Sequence, residues 1–180
     1  LDAGSEYSYS LTAVSIGSAA SCSTLGGQFS TLNADIADGL CETFDQYSYG
    51  TLPIGWTALS GTGSDPAVYY NSSSTRLRMT ASPNSASMVA LPTALANIGG
   101  LQLRAEIHAT GTIGPRSILV AGILSNPSDP QTFVALDSVR PTTDRRVCMF
   151  NLGPYPGTGR TIALRHISPD GTSTLYIDNL

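Results

Sequence analysis

The chain has no lysine. All nine of its basic residues are arginine, set against thirteen acidic residues, for a net charge of −4 over 180 residues. Nucleic-acid binding needs a dense basic footprint to neutralise phosphates, and this acidic chain has none. Charged residues make up only 12% of the sequence while hydrophobic ones reach 41%, so the polar surface must come from Ser, Thr, Asn, Gln and Gly, a balance common in secreted β-proteins. Long apolar runs are missing too: no stretch approaches the ~20 residues of a membrane-crossing helix. There are three cysteines and two histidines. No cysteine pair has the Cys-x-x-Cys spacing of a zinc or redox site, and His108 and His166 are too few to complete one. No signal segment is visible and the first residue is Leu1, which reads as a mature or excerpted stretch of a longer multidomain protein.

What is there is β-structure. In Ser117–Val139 the aliphatic run Ile118–Leu124 suits a strand buried in a sandwich core, and Thr132–Leu136 resumes in β-prone residues. Between them, Asn126-Pro-Ser-Asp-Pro130 must turn, because proline removes a donor and restricts the residue before it. Period-two alternation marks further half-buried strands. Thr75–Ala81 places Leu77 and Met79 inward and Arg76 and Arg78 outward. Leu101–His108 places Leu101, Leu103, Ala105 and Ile107 on one face, with Gln102, Arg104, Glu106 and His108 on the other. Ile162 and Leu164 repeat the pattern. Ser87–Ala96 is ambiguous, since Pro92 interrupts it and a helical turn at Thr93–Asn97 is one way to continue. The length allows one good core and a small extra piece.

Three blocks carry a family resemblance: Cys41-Glu-Thr-Phe-Asp45 with Leu52-Pro-Ile-Gly-Trp56, the stretch through Asp129-Pro-Gln-Thr-Phe133, and Thr161-Ile-Ala-Leu-Arg-His166 closing on Leu175-Tyr-Ile-Asp178. They resemble the jelly-roll modules of the cleaved-adhesin and MAM-like group found on surface and secreted proteins of Bacteroidetes. The likeness covers residues 38–180 and implies an all-β jelly-roll sandwich. Residues 1–35 differ. Ser8–Val14 alternates as a strand, Gln28-Phe-Ser-Thr31 follows a Gly/Ser/Ala linker, and the Leu-x5-Tyr step ending at Tyr7 resembles a tyrosine corner. Together these look like the last two strands of a fibronectin type III domain. Cys22 and Cys41 lie near the junction of the two pieces and are the disulfide expected in an oxidising compartment, leaving Cys148, in the apolar run Val147–Phe150, as a small buried hydrophobe.

Catalysis finds no support. The acids Glu6, Glu42, Asp45, Glu106, Asp137, Asp144, Asp170 and Asp178 are not paired by any pattern, and no Gly-x-Ser-x-Gly elbow occurs. The resemblance implies a structural calcium where first and last strands meet, with Glu42 and Asp45 on the opening strand and Asp178 on the closing one as its ligands. Trp56, following Pro53, reads as a structural residue over the core. Ligand contact is expected instead from Tyr69, Tyr70 and Asn71, and from Tyr155, held between two prolines. Asn71-Ser-Ser73 also fits the N-glycosylation pattern, which matters only in a eukaryotic secretory host. The chain therefore reads as a non-catalytic extracellular or cell-surface adhesion module for a glycan or a surface protein. The alternative is a purely structural spacer or a filament or stalk subunit, in which residues 1–35 pair with neighbouring copies by strand addition.

Overall fold

Twelve strands are described. The computed structural model describes strand backbone at Glu6–Ser8 (β1) and Gln28–Ser30 (β2), and residues 40–180 apart from 61–64, 72–73, 95–97, 99–100, 112 and 154. The chain divides into two units, Leu1–Ala34 and Asp35–Leu180. In the first, β1 and β2 pair antiparallel with Tyr7 opposite Phe29. The pair does not identify a fibronectin type III domain, and Cys22 lies outside the described residues.

The second unit is a two-sheet antiparallel sandwich. Its strands are β3 (Thr57–Ser60), β4 (Ala67–Asn71), β5 (Ser74–Ala81), β6 (Ser87–Thr93), β7 (Gln102–Gly111), β8 (Ile118–Leu124), β9 (Phe133–Val139), β10 (Arg146–Asn151), β11 (Thr161–Ile167) and β12 (Ser173–Asp178). One sheet runs β10-β7-β12-β5-β4 and the other β3-β6-β11-β8-β9. This is the expected all-β jelly-roll sandwich. Successive side chains of a strand point to opposite faces, and Leu77, Met79, Leu103, Ala105, Ile107, Leu175 and Ile177 of the first sheet face Val89, Leu91, Leu119, Ala121, Ile123, Ile162 and Leu164 of the second across a buried core. Burying each large aliphatic side chain contributes roughly 1.5–3 kcal/mol before the entropy cost.

The β8–β9 unit forms as read, its loop closed by a short 3-10 turn at Pro130–Thr132 whose Asp129 carboxylate accepts the Gln131 N–H. Leu101 is not core: the strand starts one residue later and leaves it 42% exposed. Thr93 ends a strand rather than starting a helix, while 95–97 lie outside the described residues. Pro92 is tolerated inside β6 because the ladder to β11 shifts register there, between Thr161 and Ala163, and no donor is needed at a bulge. The opening segment is not a strand either. Glu42 exchanges two backbone hydrogen bonds with Leu180, at 2.6 and 2.9 Å, and the chain then turns through Phe44 at φ 62°. Phe44 accepts that left-handed backbone because its ring is fully buried, edge-on to Trp56 at 5.6 Å. Trp56 is a core residue, as read.

At one end the sheets are joined by polar atoms. His166 of β11 is fully buried. Its Nδ1 lies 3.0 Å from the Met79 carbonyl of β5 and its Nε2 lies 3.0 Å from Ser173 Oγ of β12. A carbonyl only accepts, so Nδ1 carries the proton and Nε2 accepts from Ser173. Ser117 Oγ completes the group, 3.1 Å from Ser173 Oγ.

Candidate functional site

The outward face of the first sheet concentrates the polar and aromatic side chains. The registers β7–β12 and β12–β5 set His108, Tyr176 and Arg78 in one row. The next row crosses the whole sheet: Val147, Glu106, Asp178, and then Arg76 and Tyr69, which face each other across β5–β4. The His108 and Tyr176 rings stack at 5.1 Å and 16°. Burial, with Arg76 adding to it, lowers the His108 pKa from its ordinary value, against an opposite pull from Glu106 and Asp178. The shift favours the neutral form of His108 at pH 7.

Ion pairs hold the surrounding side chains. Arg76 Nε meets Asp178 Oδ2 at 3.3 Å with both side chains largely buried. Arg78 meets Asp65 at 2.8 Å and lays its guanidinium 3.2 Å over the Tyr69 ring, a cation–π contact. Glu106 Oε1 meets Arg145 Nε at 2.7 Å while its Oε2 accepts Asn179 Nδ2 at 3.1 Å. Beside these, Val147 and Met149 of β10 stand 52% and 51% exposed. The result is a run of aromatic and apolar side chains, with His108 and Tyr176 ring against ring, bordered by paired hydrogen-bonding groups. Such a face can take the apolar side of a sugar ring and bind its hydroxyls. Among the described residues it holds no nucleophile–base pair.

The ligand residues expected from sequence do not converge. Tyr69 belongs to this face but is only 5% exposed, covered by Arg78 and Tyr49, so its ring is not presented as expected. Tyr70, next along β4, is 63% exposed and points the other way. Asn71 ends β4, and its side chain lies outside the described residues. Tyr155 is half-buried against the core on the β10–β11 loop, its hydroxyl accepting the Gly159 N–H at 3.0 Å; it braces that loop rather than standing free. Tyr176, His108 and the exposed pair on β10 escaped the sequence reading, although the outward parity of Arg104, Glu106 and His108 was visible in it.

The acids expected to bind calcium do share one end of the sheet. Asp45 accepts Thr75 Oγ1 at 3.1 Å and its charge acts on both Glu42 and Asp178. Burial raises the pKa of Glu42 and of Asp178, with backbone N–H groups, and for Asp178 Arg76, pulling down. Calcium asks for about six to eight oxygens. Here Glu42 Oε1 accepts the Phe44 N–H, Asp178 Oδ1 accepts the Asn179 N–H, and Asp178 Oδ2 faces Arg76. Several of the oxygens are thus already engaged, an ion would have to displace Arg76 to reach Asp178 Oδ2, and among the described residues no three His, Cys, Asp or Glu side chains gather as a metal-holding group. Cys148 carries a free, half-buried thiol.

No family model matches the sequence, and no curated protein matches it. Solved structures do resemble the fold. A cleaved adhesin domain of Lys-gingipain from Porphyromonas gingivalis aligns with a TM-score of 0.54 at 16% identity, covering 78% of this chain and 94% of that one. Another cleaved adhesin domain of Lys-gingipain gives 0.54 at 11% identity with the same coverage. A mutant family 29 carbohydrate-binding module complexed with cellulohexaose gives 0.51 at 11% identity, covering 78% and 87%. At these identities the likeness establishes the shared jelly-roll sandwich.

Proposed function

We propose that the chain is a non-catalytic binding module of an extracellular or cell-surface protein, and that it holds a glycan on the outward face of the first sheet. The observation that carries this reading is the His108–Tyr176 stack, ring against ring on a face whose neighbouring charges are already paired. Adhesin and carbohydrate-binding modules among its structural neighbours support it. Fold alone assigns no ligand, so the reading rests on the side chains of this face. A glycan array probed with residues 1–180 tests the proposal: reproducible binding to a sugar class, lost in Tyr176→Ala with the fold intact, supports it. Silence of the wild-type protein would overturn it and leave a spacer or filament role.

We propose three further features of the chain. Residues 1–35 are the tail of a fibronectin type III domain; Cys22 pairs with Cys41; and a calcium ion joins Glu42, Asp45 and Asp178. The last requires the ion to displace Arg76 from Asp178, so a chelator that leaves the melting temperature unchanged would remove it.

A further inference from the structure

We propose that the outward face selects acidic over neutral glycans, and that Arg104 is the residue that makes the selection. This rests on the glycan reading above and adds the chemical class of ligand. Among the described residues, the acids of the two outward rows are paired, Asp178 with Arg76 and Glu106 with Arg145, and Asp65 beside them with Arg78. Arg104 is different. It stands exposed on β7, opposite Met149, and has no ion pair or hydrogen bond among the described residues. Among the described residues of these rows and its own, Arg104 is the cation left without a partner, on a protein whose net charge is −4. The neutral form of His108, favoured near pH 7, adds no second positive charge.

The spacing suits an oligosaccharide. Arg104 and His108 share the outward parity of β7, four residues and thus about 13 Å apart along the strand. Exposed Met149 and Val147 flank Arg104 and Glu106 across the β10 ladder. A sugar ring seated over the Tyr176–His108 pair would leave a later unit of the same chain over Met149, with its charged substituent at Arg104. Guanidinium presents a planar fork that matches a carboxylate or sulfate in two parallel hydrogen bonds. Asp137 stands at the edge of β10, where its Oδ2 accepts the Asn151 N–H at 2.8 Å two residues beyond Met149, so the anion is expected on the Arg104 side of Met149.

The test uses polysaccharides in matched pairs: a uronate-bearing polymer with its carboxyl-reduced form, and a sulfated polymer with its desulfated form. The wild-type chain should prefer the acidic member by about tenfold, a preference that weakens as salt is raised past physiological strength. Arg104→Ala should bring the ratio close to one, and Arg104→Glu should reverse it. Arg140→Ala removes the same charge from the end of β9 in the other sheet and should leave the ratio unchanged. Equal binding of both members by the wild-type protein, or a ratio indifferent to Arg104→Glu, would overturn the selection while leaving the glycan reading intact. Failure of the wild-type chain to bind any member would overturn both.

Discussion

The Nδ1 of His166 donates to the backbone carbonyl of Met79 and so ties one sheet of the sandwich to the other across 3.0 Å. The imidazole sits where no water reaches it, and burial pushes its pKa down to about 4, with the Met79 carbonyl pulling the other way.

Acid should therefore loosen the sandwich through His166. The unfolded chain takes up the proton near the ordinary value of 6.5 and the folded chain only near 4. The stabilisation is complete above 6.5 and is lost as pH falls from there through 4, at a cost of about 3 kcal/mol. Glu42 and Asp178, whose pKa values burial raises, work in the opposite sense. Urea melts of the wild type and of His166→Gln from pH 7.5 to 4 isolate the histidine: the gap between them should close as the pH drops.

Removing the acid of the most buried ion pair should be costly. Asp178→Asn leaves the Arg76 guanidinium inside the sheet face without a counter-charge, and loss of one partner from such a pair costs roughly 3–5 kcal/mol. Arg76→Met combined with Asp178→Leu should restore much of it. Midpoints of urea unfolding for the three proteins decide the matter.

Gly122 admits no side chain. A Cβ there would meet the Val134 carbonyl and come within 2.7 Å of the Phe133 ring, and the backbone atom cannot swing aside. Gly122→Ala should destabilise by about 1–3 kcal/mol, with Phe133→Leu as a second substitution recovering only the part due to the ring. Thermal melts of the two variants measure it.

The proposed Cys22–Cys41 bridge predicts one thiol per chain in denaturant without reductant and three after reduction, counted with a thiol reagent. In the native protein Cys148 should react slowly, because burial raises its pKa in spite of nearby Arg146.

Much of the sandwich was legible because its strands alternate strictly. Leu77 and Met79, or Leu103, Ala105 and Ile107, declare a half-buried strand without any knowledge of the partner. Parity also announced that Arg104, Glu106 and His108 share a face. What parity cannot supply is register. His108 meets Tyr176 because residues far apart in sequence align across β7 and β12, and a slip of one position would have sent Tyr176 into the core. Tyr69 misled for the same reason: an aromatic doublet looks exposed, yet its cover, Arg78, comes from the neighbouring strand. The opening segment failed differently. Phe44 supplies the anchor expected of a strand residue, but it does so from a left-handed turn that no periodicity records.

The two hydrogen bonds between Glu42 and Leu180 have a mechanical meaning. In an antiparallel exchange of this kind the chain arrives at Glu42 and departs at Leu180 on the same side. Tension drawn between Cys41 and Leu180 would peel the contacts apart one after the other, as a zipper opens, instead of shearing a whole ladder at once. The Glu42–Leu180 contact would be a weak point under such a load, with the buried Phe44 anchor close behind it.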